Sequence, residues 1–137
     1  MIVEARDRKG RRVAYLLAAL GGALGALARW GVATALPRSP GGWPWATLLV
    51  NLTGCLLMGA LVAVLTARSP EPTWARPFLA VGVLGGYTTY SAFAVEVVEL
   101  VEAGAPVLAA GYVLVSVLGG VLAVAAGALA VCTARAQ

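Results

Sequence analysis

The stretch Gly82-Val83-Leu84-Gly85-Gly86-Tyr87-Thr88-Thr89-Tyr90-Ser91-Ala92-Phe93-Ala94-Val95-Glu96 decides how this chain is read. It lies inside an apolar run about as long as a bilayer is thick, yet its middle is poorly suited to a helix. Adjacent glycines followed by β-branched threonines disfavour helical structure, so an interruption is expected within 85–89. Irregular backbone at membrane depth is tolerated only where it is buried in protein or lines a cavity. Carbonyls freed there are hard oxygen ligands, and half-helix ends meeting at midplane form a recurring ion site. A glycine-rich packing contact without a break is the plainer alternative.

Working outward, the rest of the chain reads as more membrane. Of 137 residues, 61% are hydrophobic and 12% charged, about half the charged share of an ordinary soluble domain. Four runs reach spanning length, roughly 20 residues: about 13–36, 45–66, 78–101 and 106–132. The expected class is an all-α integral membrane protein with four transmembrane helices forming a single unit, the third broken at midplane. The first run lacks a small-residue cleavage pattern and is long for a signal peptide. Helices and short turns account for the whole sequence, so the expected site of action is inside the bilayer.

Charge excludes other classes. The net charge is +4, but Arg6, Arg8, Lys9, Arg11 and Arg12 crowd the first twelve positions, just before an apolar run. That is a topology signal, not the spread-out basic face of a nucleic-acid binder. Two cysteines in different segments and no histidine exclude a disulfide scaffold and a histidine zinc site. With six carboxylates in all, little is left for acid–base catalysis, and no enzyme activity is expected. One side of the membrane carries the basic N-terminal five, Arg68, Arg76 and Arg135; the other carries Arg38. Eight against one places both termini in the cytoplasm. Trp43 and Trp45 then suit the outer interfacial belt and Trp74 the inner one.

Polar residues in the spans are few. Arg29 and Asn51 both lie roughly 10 Å from the outer surface at 1.5 Å per residue. Arg29 either snorkels to headgroups or faces the interior, lending positive potential to an anion entrance or bonding a neighbouring carbonyl. Asn51 needs a partner, and its amide is a good anion donor. Tyr90 and Phe93 share one helix face beside Ser91. Aromatic rings have a positive edge that a small anion can follow while hydroxyls replace its water, although simple packing is the commoner use. Tyr112 and Ser116 form a polar strip on the fourth helix. Glu96, the deepest of Glu96, Glu99 and Glu102, must be paired, protonated or in a wet vestibule. Small residues four apart, Gly21 and Gly25, Gly82 and Gly86, Cys55, Gly59 and Ala63, and Gly119, Ala123 and Gly127, mark faces where helices approach closely.

Taken together, these motifs resemble the CrcB or Fluc family of small bacterial fluoride channels. The resemblance runs from about Arg12 to the end of the fourth helix. It rests on 21–30 (GGALGALARW), 47–54 (TLLVNLTG), 82–96, and the spacing of Tyr112, Ser116 and Gly120. It implies an antiparallel dimer with two fluoride pathways along the interface, passive export, and relief from fluoride toxicity. It also implies a structural sodium ion between two broken third helices, held by carbonyls of Gly85 and Thr88. Asn51, Tyr90, Ser91, Phe93, Glu96, Tyr112 and Ser116 fall on the family's pathway positions.

Tyr90, Ala92 and Ala94 depart from the family's usual phenylalanine, threonine and serine, which removes two hydroxyls from the lining. The charge bias favours a single orientation, so the expected partner is an oppositely oriented paralogue, with a homodimer the alternative. A non-conducting partner subunit is a rival reading. A small multidrug-type exporter is another, disfavoured by the absence of a carboxylate in the first span.

Overall fold

A computed structural model describes residues 2–39 and 41–137; Pro40 and the side chains of residues 1–9, Arg6, Arg8 and Lys9 among them, lie outside the described residues. Every regular element in the described residues is helical. The first helix runs Ile2–Ala35, the second Trp45–Thr66 and the last Pro106–Arg135. Between them, Arg76–Leu84 is wound as a π-helix and closes with one α turn, Gly85–Tyr87. Thr88 is extended (φ −75°, ψ 158°), and α-helix resumes over Ser91–Glu102. Four segments are long and apolar enough to cross a membrane: Gly10–Ala35, Trp45–Thr66, Arg76–Glu102 and Pro106–Arg135.

The first helix starts well before Val13, where the apolar run begins. Alanine, arginine, lysine and glutamate are good helix formers, so the basic segment continues the helix instead of forming a tail. Elsewhere prolines set the boundaries. Pro77 and Pro106 occupy first-turn positions, where a missing N–H leaves nothing unsatisfied.

The bundle is built from two close pairs, the second helix with the last and the first helix with the π-helical segment. Small residues make both seams. A Cβ at Gly25 would land on the Val83 carbonyl oxygen, and one at Gly86 on that of Gly22. In the other seam, a Cβ at Gly59 would strike the Val124 carbonyl oxygen and one at Gly127 that of Leu56. In lipid, where apolar surface gains little by self-association, such backbone approach is what holds helices together. Buried Leu48, Leu100, Ala109 and Tyr112 form a small core at the loop end. Many other large apolar side chains face outward, among them Leu20, Trp30, Val107 and Leu122, as a lipid-facing surface requires.

Gly127→Val is expected to destabilise the protein by about 1–3 kcal/mol, the usual cost of overpacking, with less folded protein surviving heating in detergent. Gly120→Ala is the matched control, since its Cβ would sit 3.5 Å from the Cys55 sulfur, an ordinary contact. Equal survival of the two variants would contradict this account of the seam.

Candidate functional site

The interruption after Tyr87 redirects main-chain hydrogen bonds, and side chains from other helices take up the loose ends. Asn51 forms a reciprocal pair with Thr89: its Nδ2 donates to the Thr89 carbonyl at 2.9 Å, and the Thr89 N–H donates to its Oδ1 at 2.9 Å. Arg29 Nε donates to the Gly86 carbonyl at 3.2 Å. The Ala92 N–H donates to Thr89 Oγ1 at 3.2 Å, so Thr89 opens the Ser91–Glu102 helix, the usual service of a threonine at a helix start.

The carbonyls left over can be identified from these bonds. In a continuous α-helix the Thr89 N–H would serve Gly85 and the Ala92 N–H would serve Thr88. Both donors are turned elsewhere, to Asn51 and to Thr89 Oγ1. Gly86 and Thr89 are taken by Arg29 and Asn51. The carbonyls of Gly85, Tyr87 and Thr88 are therefore left without the N–H four residues on and without a side-chain donor among the described residues. Among the described residues no three His, Cys, Asp or Glu side chains come together.

Beside the interruption lies a groove of about 380 Å³, lined by Asn51, Thr88, Thr89, Tyr90, Phe93 and Ser116 among others. The Ser116 hydroxyl is buried with no hydrogen-bond partner among the described residues. Ser91 is exposed and shares a hydrogen bond with Thr89, Oγ to Oγ1, at 3.2 Å. Tyr90, 80% exposed, projects away from its own chain.

Aromatic rings continue from the groove towards the first loop. Centroids are 5.9 Å apart for Tyr90 and Phe93, 5.2 Å for Phe93 and Tyr112, and 5.8 Å for Tyr112 and Trp43. The tilted and edge-on contacts present ring edges as well as faces. Alongside, Glu96 accepts one hydrogen bond per carboxylate oxygen, from Thr47 Oγ1 at 2.7 Å and from the Tyr112 hydroxyl at 2.7 Å. Glu96 is thus paired, one of the three situations open to it. Near the loop, Arg38 and Glu99 form an ion pair, while Glu102 is exposed.

The site residues fall into three connected places. Asn51, Thr88, Tyr90, Phe93 and Ser116 meet at the groove. Glu96 and Tyr112 meet one step further on. Arg29 lies on the other side of the interruption, at Gly86, bonded to a neighbouring carbonyl. Trp43, expected in the interfacial belt, turns inward onto Tyr112, whereas Trp45 stays exposed. Thr47 and Thr89 were not singled out as site residues from sequence. Thr47 precedes Asn51 by one helical turn and so shares its face, a signal that was available. Thr89 gave no signal beyond standing after the glycines.

Comparison with known proteins identifies the relatives. A family model described as "CrcB-like protein, Camphor Resistance (CrcB)" matches residues 16–128. The chain is 44% identical over 115 residues to "Fluoride-specific ion channel FluC 2" of Nocardia farcinica, covering 83% of this chain and 82% of that protein. It is 49% identical over 113 residues to "Fluoride-specific ion channel FluC" of Paracoccus denitrificans, covering 82% and 90%. It is 48% identical over 115 residues to the protein of that name in Hyphomonas neptunium, covering 82% and 91%.

Proposed function

Because the chain belongs to the CrcB family, we propose that it is a subunit of a fluoride-selective channel, a multi-pass membrane protein that moves fluoride passively down its gradient. It is a transport protein and not an enzyme. The observation that carries this reading is the gathering of Asn51, Ser116, Glu96 and Tyr112 along one aromatic row in an otherwise apolar bundle.

Fluoride is small and holds its water tightly. A path for it must offer closely spaced donors, and the Asn51 amide with the Ser91 and Ser116 hydroxyls supplies them, while Tyr112, its hydroxyl bonded to Glu96, lines the path beside them. Crowding by Tyr90 and Phe93 disfavours larger chloride. Binding at each stop must be firm enough to admit the ion and weak enough to release it.

The active form is an antiparallel dimer in the bacterial plasma membrane, with the third helix broken near midplane. Exposed Tyr90 would then meet the facing subunit. Sodium, held by the Gly85 and Thr88 carbonyls of both subunits, suits the loss of their amide partners. When bound it supplies fixed positive charge near passing anions. Arg29 and Asn51 hold the neighbouring carbonyls in place.

Both termini face the cytoplasm, and the eight-to-one distribution of basic residues supports an oppositely oriented paralogue as partner. The numbered name of the Nocardia relative is in keeping with more than one such chain in an organism. Ala92 and Ala94, which add no hydroxyls, favour one second reading, that the partner supplies the conducting lining and this chain supports it.

The test is growth. Bacteria lacking their own fluoride exporter should grow in millimolar fluoride when they express this chain with its partner, and fail with the empty vector. Equal growth inhibition in both would contradict the proposal.

A further inference from the structure

The end of the bundle that carries both termini is basic in a way that neither the groove nor the aromatic row uses. It holds eight of the ten basic residues of the chain. The first and third spans begin there, at Gly10 and Arg76, and the second and last end there, at Thr66 and Arg135. Arg12, Arg68 and Arg135 each stand within two residues of such a boundary, on three different spans. All three are exposed, and none has a carboxylate partner among the described residues. Glu71, the described carboxylate at this end, is already bonded to Arg76 at 2.7 Å.

The level of these arginines is marked independently by aromatic residues. Tyr15 and Trp74 are exposed at the same end, and such side chains favour the boundary between lipid and water. Arg135 Nη2 donates to the Val64 carbonyl at 3.4 Å, which lays the guanidinium across the seam between the second and last helices. Its remaining N–H groups have no partner among the described residues.

A guanidinium at the bilayer boundary satisfies its N–H groups from water or from an anion, and the anions fixed at that depth are headgroup phosphates. The planar fork of arginine matches a phosphate with two parallel hydrogen bonds. We infer that Arg12, Arg68 and Arg135 form a binding collar for the phosphates of anionic phospholipids. This site does not depend on the channel reading. Two commoner uses of such residues cover only part of it. A cation in the last turn suits the helix dipole, which accounts for Arg135, but Arg12 lies inside its helix. Insertion signals act while the chain enters the membrane, whereas these charges still face the headgroups of the finished protein.

The experiment uses the full chain purified in detergent, where there is no inside or outside, so lipid binding is read apart from insertion. Native mass spectrometry counts bound phosphatidylglycerol against phosphatidylcholine with the same acyl chains. The parent should retain phosphatidylglycerol in preference, and raised salt should weaken that preference. Each basic residue at an anionic surface contributes roughly fivefold in affinity. Replacing Arg12, Arg68 and Arg135 together by glutamine should therefore weaken phosphatidylglycerol binding by about a hundredfold and leave phosphatidylcholine unchanged. Lysine at the three positions, which keeps the charge and loses the fork, should fall between that variant and the parent.

Equal retention of the two lipids by the parent would overturn the proposal, as would an undiminished preference in the triple glutamine variant. Displacement of the lipid by an equal concentration of inorganic phosphate would also overturn it, because the arginines would then hold a free anion. Circular dichroism checks that the variants keep the parent's helix. If the triple variant loses helix, Arg68→Gln alone, in a connection outside the helices, carries the same test at roughly fivefold.

Discussion

Asn51→Asp is expected to stop fluoride efflux while the protein still inserts and assembles. Asn51 lines the groove and donates to the Thr89 carbonyl, accepting in return from the Thr89 N–H. Aspartate keeps the acceptor half of that pair, so the main chain at Thr89 retains one tether. What it adds is a negative charge beside the path. Two like unit charges about 4 Å apart repel by roughly 4 kcal/mol at an effective dielectric constant of 20, or roughly a thousandfold in rate. Asn51→Ala separates charge from scaffolding, since it removes both bonds to Thr89 and introduces no charge. It should be the less stable variant and the better conductor. Wild-type flux through Asn51→Asp, measured with a fluoride electrode on liposomes, would remove Asn51 from the pathway.

The second large effect concerns the partner. An antiparallel dimer forms from one sequence only when that sequence inserts both ways, which needs nearly balanced basic residues on its two sides. Here the count is eight against one, and that one, Arg38, is also tied to Glu99. Expressed alone, the chain should insert almost wholly with its termini inside and carry little fluoride. A homologous chain of opposite bias should restore flux by an order of magnitude or more. Single cysteines at the N-terminus and in the 102–105 connection, labelled from outside intact cells after Cys55 and Cys132 are removed, report the orientation. Comparable labelling of the N-terminal site from both sides would establish dual insertion and make a homodimer sufficient.

Much of this molecule is legible without coordinates because bilayer physics restricts the choices. A run such as 106–132 has one stable fate in lipid. Glycine spacing marks the seams: Gly59 and Gly127 belong to two different small-residue series, and the fold turns each towards the opposite helix's backbone. The site was harder to read. Glycines before threonines locate an interruption near Gly85, but which carbonyls lose their partners depends on where Asn51 and Arg29 arrive from other helices. Glu96 is paired, one of three situations its depth leaves open, yet Thr47 lies 49 residues away in sequence, and no local pattern joins them. Trp43 looked like an interface anchor because tryptophan so often is one. Its inward turn follows from docking of the first loop on Tyr112, a tertiary contact without local signature. The helical start at Ile2 is obscured for a different reason, since hydropathy marks only the apolar run from Val13 although the charged residues before it also favour helix.

The most direct test of the central claim is anion efflux from liposomes containing the purified chain and its partner, loaded with equal fluoride and chloride and started by an ionophore that dissipates the membrane potential. The account predicts rapid fluoride release that follows the fluoride gradient alone, needs no proton or sodium gradient, and leaves chloride inside. Fluoride and chloride leaving at equal rates, or fluoride release that requires a second ion's gradient, would contradict it.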